Sequence, residues 1–411
     1  MTQLDLEFVR NQFPAFEQDN LQGWGFFENA GGSYCCTQVL ERLCRYYRET
    51  KVQPYGGFPA SKRAGEEMDE ARARLAALVN VEVDEISFGP STSQNTYVLA
   101  QAFRTLLKPG DEIIVTNQDH EANSGVWRRL ERDGMVIREW RVDAQSGALD
   151  PDALDRLITP RTRLITMPHC SNIVAQFNDV AAAAAKAHQA GALLVADGVS
   201  YAPHGLPDIG ALGVDVYLMS LYKTFGPHQG LLYVQKDLLQ RLENQGHYFN
   251  AARSDKRLTP AGPDHAQISA ANGIADYYEA LYGHHFGAAA ASPSEQAGAV
   301  NALFRAHESR LTDKLLDFLR GSEDLRILGP DTAKGRAATI ALQTRTPPPE
   351  LAAKLADHHI MAGAGHFYAV RLLEGLNVAP DPGVLRLSFV HYTSEDEIDR
   401  LIAALERVLQ S

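Results

Sequence analysis

The chain has 411 residues, of which 45% are hydrophobic and 22% are charged. This length exceeds one small domain, and the composition is ordinary for a globular protein with a large core, so a disordered or fibrous chain is excluded. The 39 Lys and Arg residues against 51 Asp and Glu residues leave a net charge of −12, which repels phosphate backbones and disfavours nucleic-acid binding.

Neither secretion nor membrane insertion is predicted from the sequence. Residues 1–20 carry several acids and no apolar core, unlike a secretory signal. No stretch approaches the ~18 continuous apolar residues of a membrane span. The cysteines are Cys35, Cys36, Cys44 and Cys170. Their spacing fits neither a zinc site nor a disulfide framework, which favours a reduced, cytoplasmic protein without a metal.

Helix-like and strand-like segments alternate over about residues 64–234. An apolar stripe predicts a helix over 67–79, a strand follows at 85–88, and Ser91 begins a helix that runs to residue 106. Further strands are predicted at 112–115, 135–140, 164–167, 193–196, 216–219 and 231–234. The segments between them are long enough for crossover helices, so we predict an α/β fold with a mostly parallel sheet covered on both faces.

The pattern changes after about residue 246. The predicted elements there are helices at 270–281 and 295–319, strands at 337–342 and 384–389, and a helix at 395–409. They indicate a second, smaller α+β domain. We therefore predict an N-terminal segment (1–25), a large ligand-binding α/β domain (26–265), and a helical connection with a small α+β C-terminal domain (266–411).

The strongest local signal is a carboxylate and a lysine that follow neighbouring strands. Asp197 ends one apolar strand, and Lys223 lies 26 residues later, after the next strand. Ligands of open α/β sheets bind beyond the carboxyl ends of the strands, so both side chains can reach one crevice. The pair suits pyridoxal phosphate, because the lysine forms the Schiff base and the acid keeps the pyridine nitrogen protonated. The alternative is a helix-capping aspartate and an unrelated surface lysine.

Three further segments strengthen this interpretation. Ser91, Thr92 and Ser93 follow a strand and begin a helix, where hydroxyls and free backbone N–H groups bind phosphate, although such residues are also ordinary N-caps. His120 follows a predicted strand and is placed to stack on a flat heterocycle, or is an ordinary loop histidine. Asn172 is placed to bind the phenolic oxygen of the ring, or is an ordinary turn residue.

In chain order, these motifs resemble the class V aminotransferase and cysteine desulfurase superfamily, which has fold type I of the pyridoxal-phosphate enzymes. The matching segments are Phe27 to Gly31, Gly89 to Ser93, His120 to Trp127, Pro168 to Asn172, Ala196 to Gly198, Tyr222 to Pro227, and Arg386 to Thr393. They cover nearly the whole chain. The resemblance implies a large domain with a mostly parallel sheet and a smaller α+β C-terminal domain.

The resemblance also implies a role for each matching residue. Lys223 would carry the cofactor, Asp197 would pair with its ring nitrogen, and His120 would stack on its ring. The implied cofactor-binding residues are Thr92, Ser93, His120, Asn172, Asp197, Ser200, Ser220, Tyr222 and Lys223. The implied substrate-binding residues are Arg386, Tyr368 and Asn29, with Arg386 binding the α-carboxylate through its guanidinium.

Departures from the family pattern bear on the reaction. Desulfurases of this family carry a mobile Cys in a segment similar to residues 365–369, where this chain has Tyr368. An upstream Arg of the family falls near Gly363, and a Thr from the partner subunit that reaches the phosphate aligns with Gly262. Since no cysteine lies in the expected segment, sulfur transfer through an enzyme persulfide is disfavoured. Tyr368 either lines the pocket or packs in the core, on a helix predicted over 365–373.

We therefore predict a homodimeric, cytoplasmic pyridoxal-phosphate enzyme that acts on a small α-amino acid through an external aldimine. A desulfurase-like lyase reaction, by elimination or side-chain cleavage, is the first expectation, and class V transamination or epimerisation is the alternative. A catalytically idle ligand-binding scaffold is disfavoured because Lys223 and Asp197 are both present. A nicotinamide-binding fold is disfavoured because no Gly-x-Gly-x-x-Gly follows an early strand.

Overall fold

The computed structural model describes residues 2–287 and 290–409. Residues 1, 288–289 and 410–411, which the predicted domain ranges include, lie outside the described residues. The strands are β1 (Gly25–Phe27), β2 (Ile86–Gly89), β3 (Glu112–Thr116), β4 (Val136–Trp140), β5 (Thr162–Pro168), β6 (Leu193–Asp197), β7 (Val216–Ser220), β8 (Gly230–Val234), β9 (Leu325–Leu328), β10 (Thr339–Thr344), β11 (Ile360–Gly365) and β12 (Val384–Ser388).

The α-helices lie before, between and after these strands. They are α1 (Leu6–Arg10), α2 (Thr37–Arg45), α3 (Pro59–Leu78), α4 (Thr92–Phe103), α5 (Glu121–Arg128), α6 (Pro151–Leu157), α7 (Val180–Gln189), α8 (Ile209–Leu212), α9 (Lys236–Arg241), α10 (Ser254–Arg257), α11 (His265–Phe286), α12 (Pro293–Arg320), α13 (Pro348–Asp357), α14 (Val370–Gly375) and α15 (Glu395–Leu409). Among the described residues, no helix is both long and apolar enough to cross a membrane.

Seven strands form the larger sheet, in the order β2-β8-β7-β6-β5-β3-β4. The five strands from β7 to β4 run parallel, whereas β8 pairs antiparallel with both β2 and β7. The central strands are buried along nearly their whole length, as expected for a sheet with helices on both faces. The predicted mostly parallel α/β fold is confirmed.

The second sheet has five strands in the order β1-β11-β12-β10-β9. Its strands pair antiparallel, except that β1 runs parallel to β11. Leu315 of α12, Leu351 of α13 and Leu401 of α15 belong to the apolar cluster that covers this sheet. Strand β1 therefore joins the small sheet, although the predicted range 26–265 assigns most of it to the large domain. The domain boundaries themselves remain a prediction.

Two predicted helices begin elsewhere in the structure. Helix α3 begins at Pro59 rather than at residue 67, because Pro suits the first helical position and the first turns pack through small residues that leave no apolar stripe. The helix predicted over 365–373 begins only at Val370. Phe367 and Tyr368 have positive φ values of 48° and 58°, a left-handed conformation that a right-handed helix cannot contain.

Candidate active site

A cavity of about 240 Å³ lies where several strands of the large sheet reach their carboxyl ends. Register pairs Pro168 of β5 with Asp197 of β6, so the loops that follow these strands begin side by side. All nine residues predicted to bind the cofactor line this cavity: Thr92, Ser93, His120, Asn172, Asp197, Ser200, Ser220, Tyr222 and Lys223. The structure thus brings the predicted set together, and their individual roles remain predictions.

Lys223 lies in a short 3-10 turn directly after β7, and its side chain is buried. Within the described part of the chain, no side chain or carbonyl accepts a hydrogen bond from its Nζ. Burial, together with the positive charge of Arg386, lowers the pKa of this amine from 10.5 to about 8. Asp197 and Glu28 act in the opposite direction. A larger fraction of Lys223 is therefore neutral, and hence nucleophilic, near neutral pH than for an exposed lysine.

Asp197 is the last residue of β6 and is buried at the cavity wall. Its Oδ1 accepts a hydrogen bond from the backbone N–H of Val199 at 2.9 Å. Burial raises the pKa of this carboxyl, while the Val199 hydrogen bond and the charge of Lys223 lower it. A buried carboxylate with so few protein partners favours a cationic or proton-donating ligand group in the cavity.

One end of the cavity is built for an anion. Ser91 caps α4, accepting a hydrogen bond from the backbone N–H of Gln94 at 3.2 Å, and the Thr92 and Ser220 hydroxyls lie 2.7 Å apart. Helix α4 has 12 residues, so its dipole and free N–H groups favour negative charge here. Gly230 permits the close approach of β8, because a Cβ there would lie 2.5 Å from the Ser91 carbonyl carbon.

His120 lines the cavity and is the N-cap of α5. Its Nδ1 accepts a hydrogen bond from the backbone N–H of Ala122 at 3.1 Å, which places the proton of the neutral ring on Nε2. Burial, together with the charges of Lys223 and Arg386, lowers the pKa of this imidazole to about 4. A neutral, flat ring is suited to stacking on an aromatic ligand.

Asn172 supplies the remaining polar group predicted for the cofactor ring. Its Nδ2 donates a hydrogen bond to the carbonyl of Phe367 at 2.9 Å, and its Oδ1 is buried with no partner in the described structure. A buried polar atom without a partner is costly unless a ligand or water completes it. This orphaned oxygen, the unpaired Lys223 amine and the hydroxyls at α4 together fit pyridoxal phosphate, with groups suited to its ring, aldehyde and phosphate.

The predicted substrate-binding residues do not line the cavity itself. Arg386 of β12 is buried, and its Nη2 donates to Glu28 Oε1 at 2.8 Å, so the residue forms an intraprotein ion pair. The amide of Asn29 donates to the carbonyls of Phe26 and Ser388 and accepts from the Tyr392 hydroxyl, which leaves it little capacity for a ligand.

Tyr368 contradicts the expectation of a core residue. Its side chain is 68% exposed, since the left-handed turn at residues 367–368 directs the chain away from a helix. Its ring centroid lies 5.3 Å from that of His120, and its carbonyl accepts a hydrogen bond from the backbone N–H of Glu121 at 2.8 Å. Tyr368 therefore lies beside His120 and is not part of the cavity lining.

The sequence analysis assigned no role to several residues of the cavity lining, among them His228 and Cys170. His228 stacks on Tyr222 with ring centroids 4.7 Å apart, and it also lines a neighbouring cavity of about 270 Å³ together with Gly262. Cys170 lies in the cavity wall, where burial raises the pKa of its thiol and Sγ donates to the carbonyl of Ala175 at 3.3 Å. Cys170 lies within the segment Pro168 to Asn172, and His228 directly follows the segment Tyr222 to Pro227, but only contacts across the fold reveal where they lie.

Comparisons with known proteins agree with this arrangement. A family model described as aminotransferase class-V matches residues 25–401. The aminotransferase-like protein FGM3 of Gibberella zeae is 34% identical over 418 residues, covering 98% of each chain. A cysteine desulfurase of Pectobacterium carotovorum subsp. carotovorum is 29% identical over 421 residues, again covering 98% of each chain.

A solved structure confirms the predicted fold type. The apo structure of a cysteine desulfurase from Thermococcus onnurineus NA1 matches with a TM-score of 0.86 and covers all of both chains, at 22% sequence identity. Within the described ranges, no group of three or more His, Cys, Asp or Glu side chains is arranged to hold a metal ion.

The first prediction concerns covalent attachment at Lys223. Borohydride reduction of the cofactor-loaded protein, followed by peptide mapping, should place the pyridoxyl group on Lys223 and not on the exposed Lys236. Because only the neutral amine reacts, the rate of attachment to cofactor-free protein should rise with pH up to about 8 and then level off. An adduct on another lysine would contradict the assignment.

Proposed function

Because the chain belongs to the aminotransferase class-V family and is a pyridoxal-phosphate-dependent enzyme, we propose that it is a lyase acting on a small α-amino acid. The reaction is side-chain cleavage or elimination without an enzyme persulfide. The observation that carries this proposal is that a buried Lys223 amine, with no hydrogen-bond partner among the described residues, and a buried Asp197 carboxylate line one cavity. A catalytically idle scaffold has no need of two such costly groups.

Each of these cavity residues has a proposed task that follows from its position. When bound, pyridoxal phosphate supplies an electron sink for charge that develops at the substrate Cα. Asp197 keeps a proton on the ring nitrogen through a buried opposite charge, which favours the charged form of each partner. The Thr92 and Ser220 hydroxyls at the α4 terminus bind the phosphate. His120 covers one ring face and excludes water from it.

Lys223 has two tasks in this proposal. Its amine would hold the cofactor, and Nζ would take or return the proton at the substrate Cα. The lowered pKa of the amine, about 8, suits both tasks, because a group whose pKa lies near the working pH exchanges protons readily. Arg386 attracts the α-carboxylate of the substrate while remaining paired with Glu28.

The cysteines favour a reaction without sulfur transfer. A persulfide requires a thiolate, yet burial raises the pKa of Cys170, the one cysteine in the cavity wall. The residue that lies beside His120 is Tyr368, and a phenol cannot accept sulfane sulfur. Transamination is the second candidate, because the relative at 34% identity is named aminotransferase-like. Epimerisation at Cα needs the same groups.

We also propose a cytoplasmic homodimer as the working form. All four cysteines are free thiols, which suits a reducing compartment. The loop that contains Gly262 lines the neighbouring cavity, and so does His228, which also lines the candidate active site. A second subunit near that loop would therefore also lie near the phosphate end of the site. Sedimentation of the purified protein tests the dimer.

The proposed reaction is tested by adding a series of amino acids to the purified protein. The absorption spectrum of the cofactor is followed for each amino acid, and the products are identified.

Replacement of Asp197 should separate cofactor binding from turnover. Asp197→Asn keeps the size of the side chain but removes the charge that holds the ring nitrogen protonated, so turnover should fall about a hundredfold or more. The cofactor content, read from absorption, should remain measurable. Near-normal turnover in the cofactor-loaded variant would make Asp197 a structural residue only.

Removal of the Arg386 guanidinium should affect substrates unequally. In Arg386→Ala the substrate carboxylate loses a charged hydrogen-bond donor and meets an unpaired Glu28, so KM for amino acids should rise about tenfold or more. Amines that lack a carboxylate should be affected much less, and cofactor content should be retained. An equal loss for amines and amino acids would contradict a role in carboxylate binding.

The Cys170 thiol should be dispensable for activity. Cys170→Ala removes the sulfur from the cavity wall at a modest cost in stability, about 1 kcal/mol, and turnover should be unchanged. Cys44→Ala, at an exposed cysteine, is the matched control. A folded, cofactor-loaded Cys170→Ala protein without activity, together with a persulfide trapped in the wild type, would restore a desulfurase reaction.

A further inference from the structure

The guanidinium of Arg386, which is proposed to bind the substrate carboxylate, already contacts the carboxylate of Glu28. Glu28 Oε1 lies 2.8 Å from Nη2 of Arg386, and the Glu28 side chain is 29% exposed whereas that of Arg386 is 2% exposed. The ring of Phe367 covers the guanidinium, with its centroid 3.7 Å from Cζ. Any substrate carboxylate that approaches Arg386 therefore meets a cation that is already paired.

Two glycines make room for this carboxylate. A Cβ at Gly31 would lie 2.7 Å from Glu28 Oε1, and a Cβ at Gly363 would overlap Glu28 Oε2. Gly363 of β11 lies directly opposite Arg386 of β12 in the sheet, so any side chain at position 363 would compete with Glu28 for the space next to the guanidinium. The ion pair is thus a feature built into the fold, and not an accidental contact of a surface side chain.

The pair is also incomplete. Glu28 Oε2 and Arg386 Nε are both buried and have no hydrogen-bond partner among the described residues, and Nη1 lies 3.4 Å from the carbonyl of Asn172. A buried donor and acceptor without partners are costly unless something completes them. Arg386 has a free N–H for a further acceptor, and Glu28 has a free oxygen that repels a second carboxylate but accepts from a neutral donor.

We propose that Glu28 is a specificity-determining residue that shares Arg386 with the substrate and weakens the selection for a free α-carboxylate. This inference rests on the proposed function and extends its substrate class beyond free α-amino acids. One guanidinium between two carboxylates leaves an uncompensated negative charge, which is costly in a buried place. The site therefore accepts simple primary amines, and amino acids whose carboxyl group is an amide or ester, about as readily as free amino acids.

Stable conjugates test this inference without catalysis. The full-length chain, freed of cofactor, is titrated by calorimetry with N-phosphopyridoxyl-L-alanine and with N-phosphopyridoxyl-ethylamine, which differ only in the carboxylate. The wild type should bind the two within about threefold of each other. In Glu28→Gln the free Arg386 charge should favour the alanine conjugate by about tenfold, the value expected for a charge-assisted hydrogen bond.

Two further variants isolate the cause. Gly363→Ala places a Cβ where Glu28 Oε2 lies, so it should displace the carboxylate and shift the binding ratio in the same direction as Glu28→Gln. Glu121→Gln is the matched control, because it neutralises another Glu–Arg pair, that with Arg371, and should leave the ratio unchanged. Gly363→Ala decides the question if Glu28→Gln does not fold, as judged by circular dichroism.

The outcomes separate this inference from the proposed function. If neither variant changes the ratio of the affinities for the two conjugates, the role of Glu28 is overturned and the proposed function stands. The same holds if the wild type favours the alanine conjugate by tenfold or more. A shift of equal size in Glu121→Gln also overturns the role of Glu28, since the effect would then be one of net charge. If no conjugate binds to any of the proteins, the proposed function fails and the inference fails with it.

Discussion

The burial of the Lys223 amine is the constraint on which the rest of this site depends. Burial disfavours the charged form of this amine, and its pKa is lowered to about 8. Nearby positive and negative charges also change this pKa, in opposite directions. Asp197 and Glu28 favour its charged form, whereas Arg386 disfavours it. Burial, together with the positive charges of Lys223 and Arg386, lowers the pKa of His120 and keeps its ring neutral. Burial and the charges around Lys223 therefore act together on the protonation of the groups in this site.

The topology of the large sheet makes this balance possible. Parallel strands bring the loops after β5, β6 and β7 to one edge, so groups separated by many residues meet around one cavity. The antiparallel strand β8 then returns along β7, and its Gly230 lies against the start of α4. The phosphate end is thus made from hydroxyls and backbone of two distant segments. The small sheet contributes the other end, through Arg386 on β12.

The sequence predicted the cofactor end of the site much better than the substrate end. Lys223, Asp197 and Thr92 each follow a strand or begin a helix, so periodicity alone places them at the same edge of the sheet. The pairing of Arg386 with Glu28 joins residues 358 positions apart in the chain, and no local pattern indicates it. The exposure of Tyr368 depends on a left-handed turn that non-glycine residues rarely adopt, so propensity favoured a helix there.

Two of the three departures from the desulfurase pattern lie near the proposed substrate end of the site. Gly363 lies opposite Arg386 in the small sheet, and Tyr368 lies beside His120, whereas Gly262 lines the neighbouring cavity. The absence of a side chain at Gly363 leaves space that the Glu28 carboxylate and the edge of the Phe367 ring occupy, and the Phe367 ring covers the guanidinium of Arg386. These residues surround the same group, the Arg386 guanidinium that is proposed to bind the substrate. The residues that line the cavity are suited to the cofactor, and the proposed selection of the substrate depends on an internal carboxylate, that of Glu28, beside Arg386.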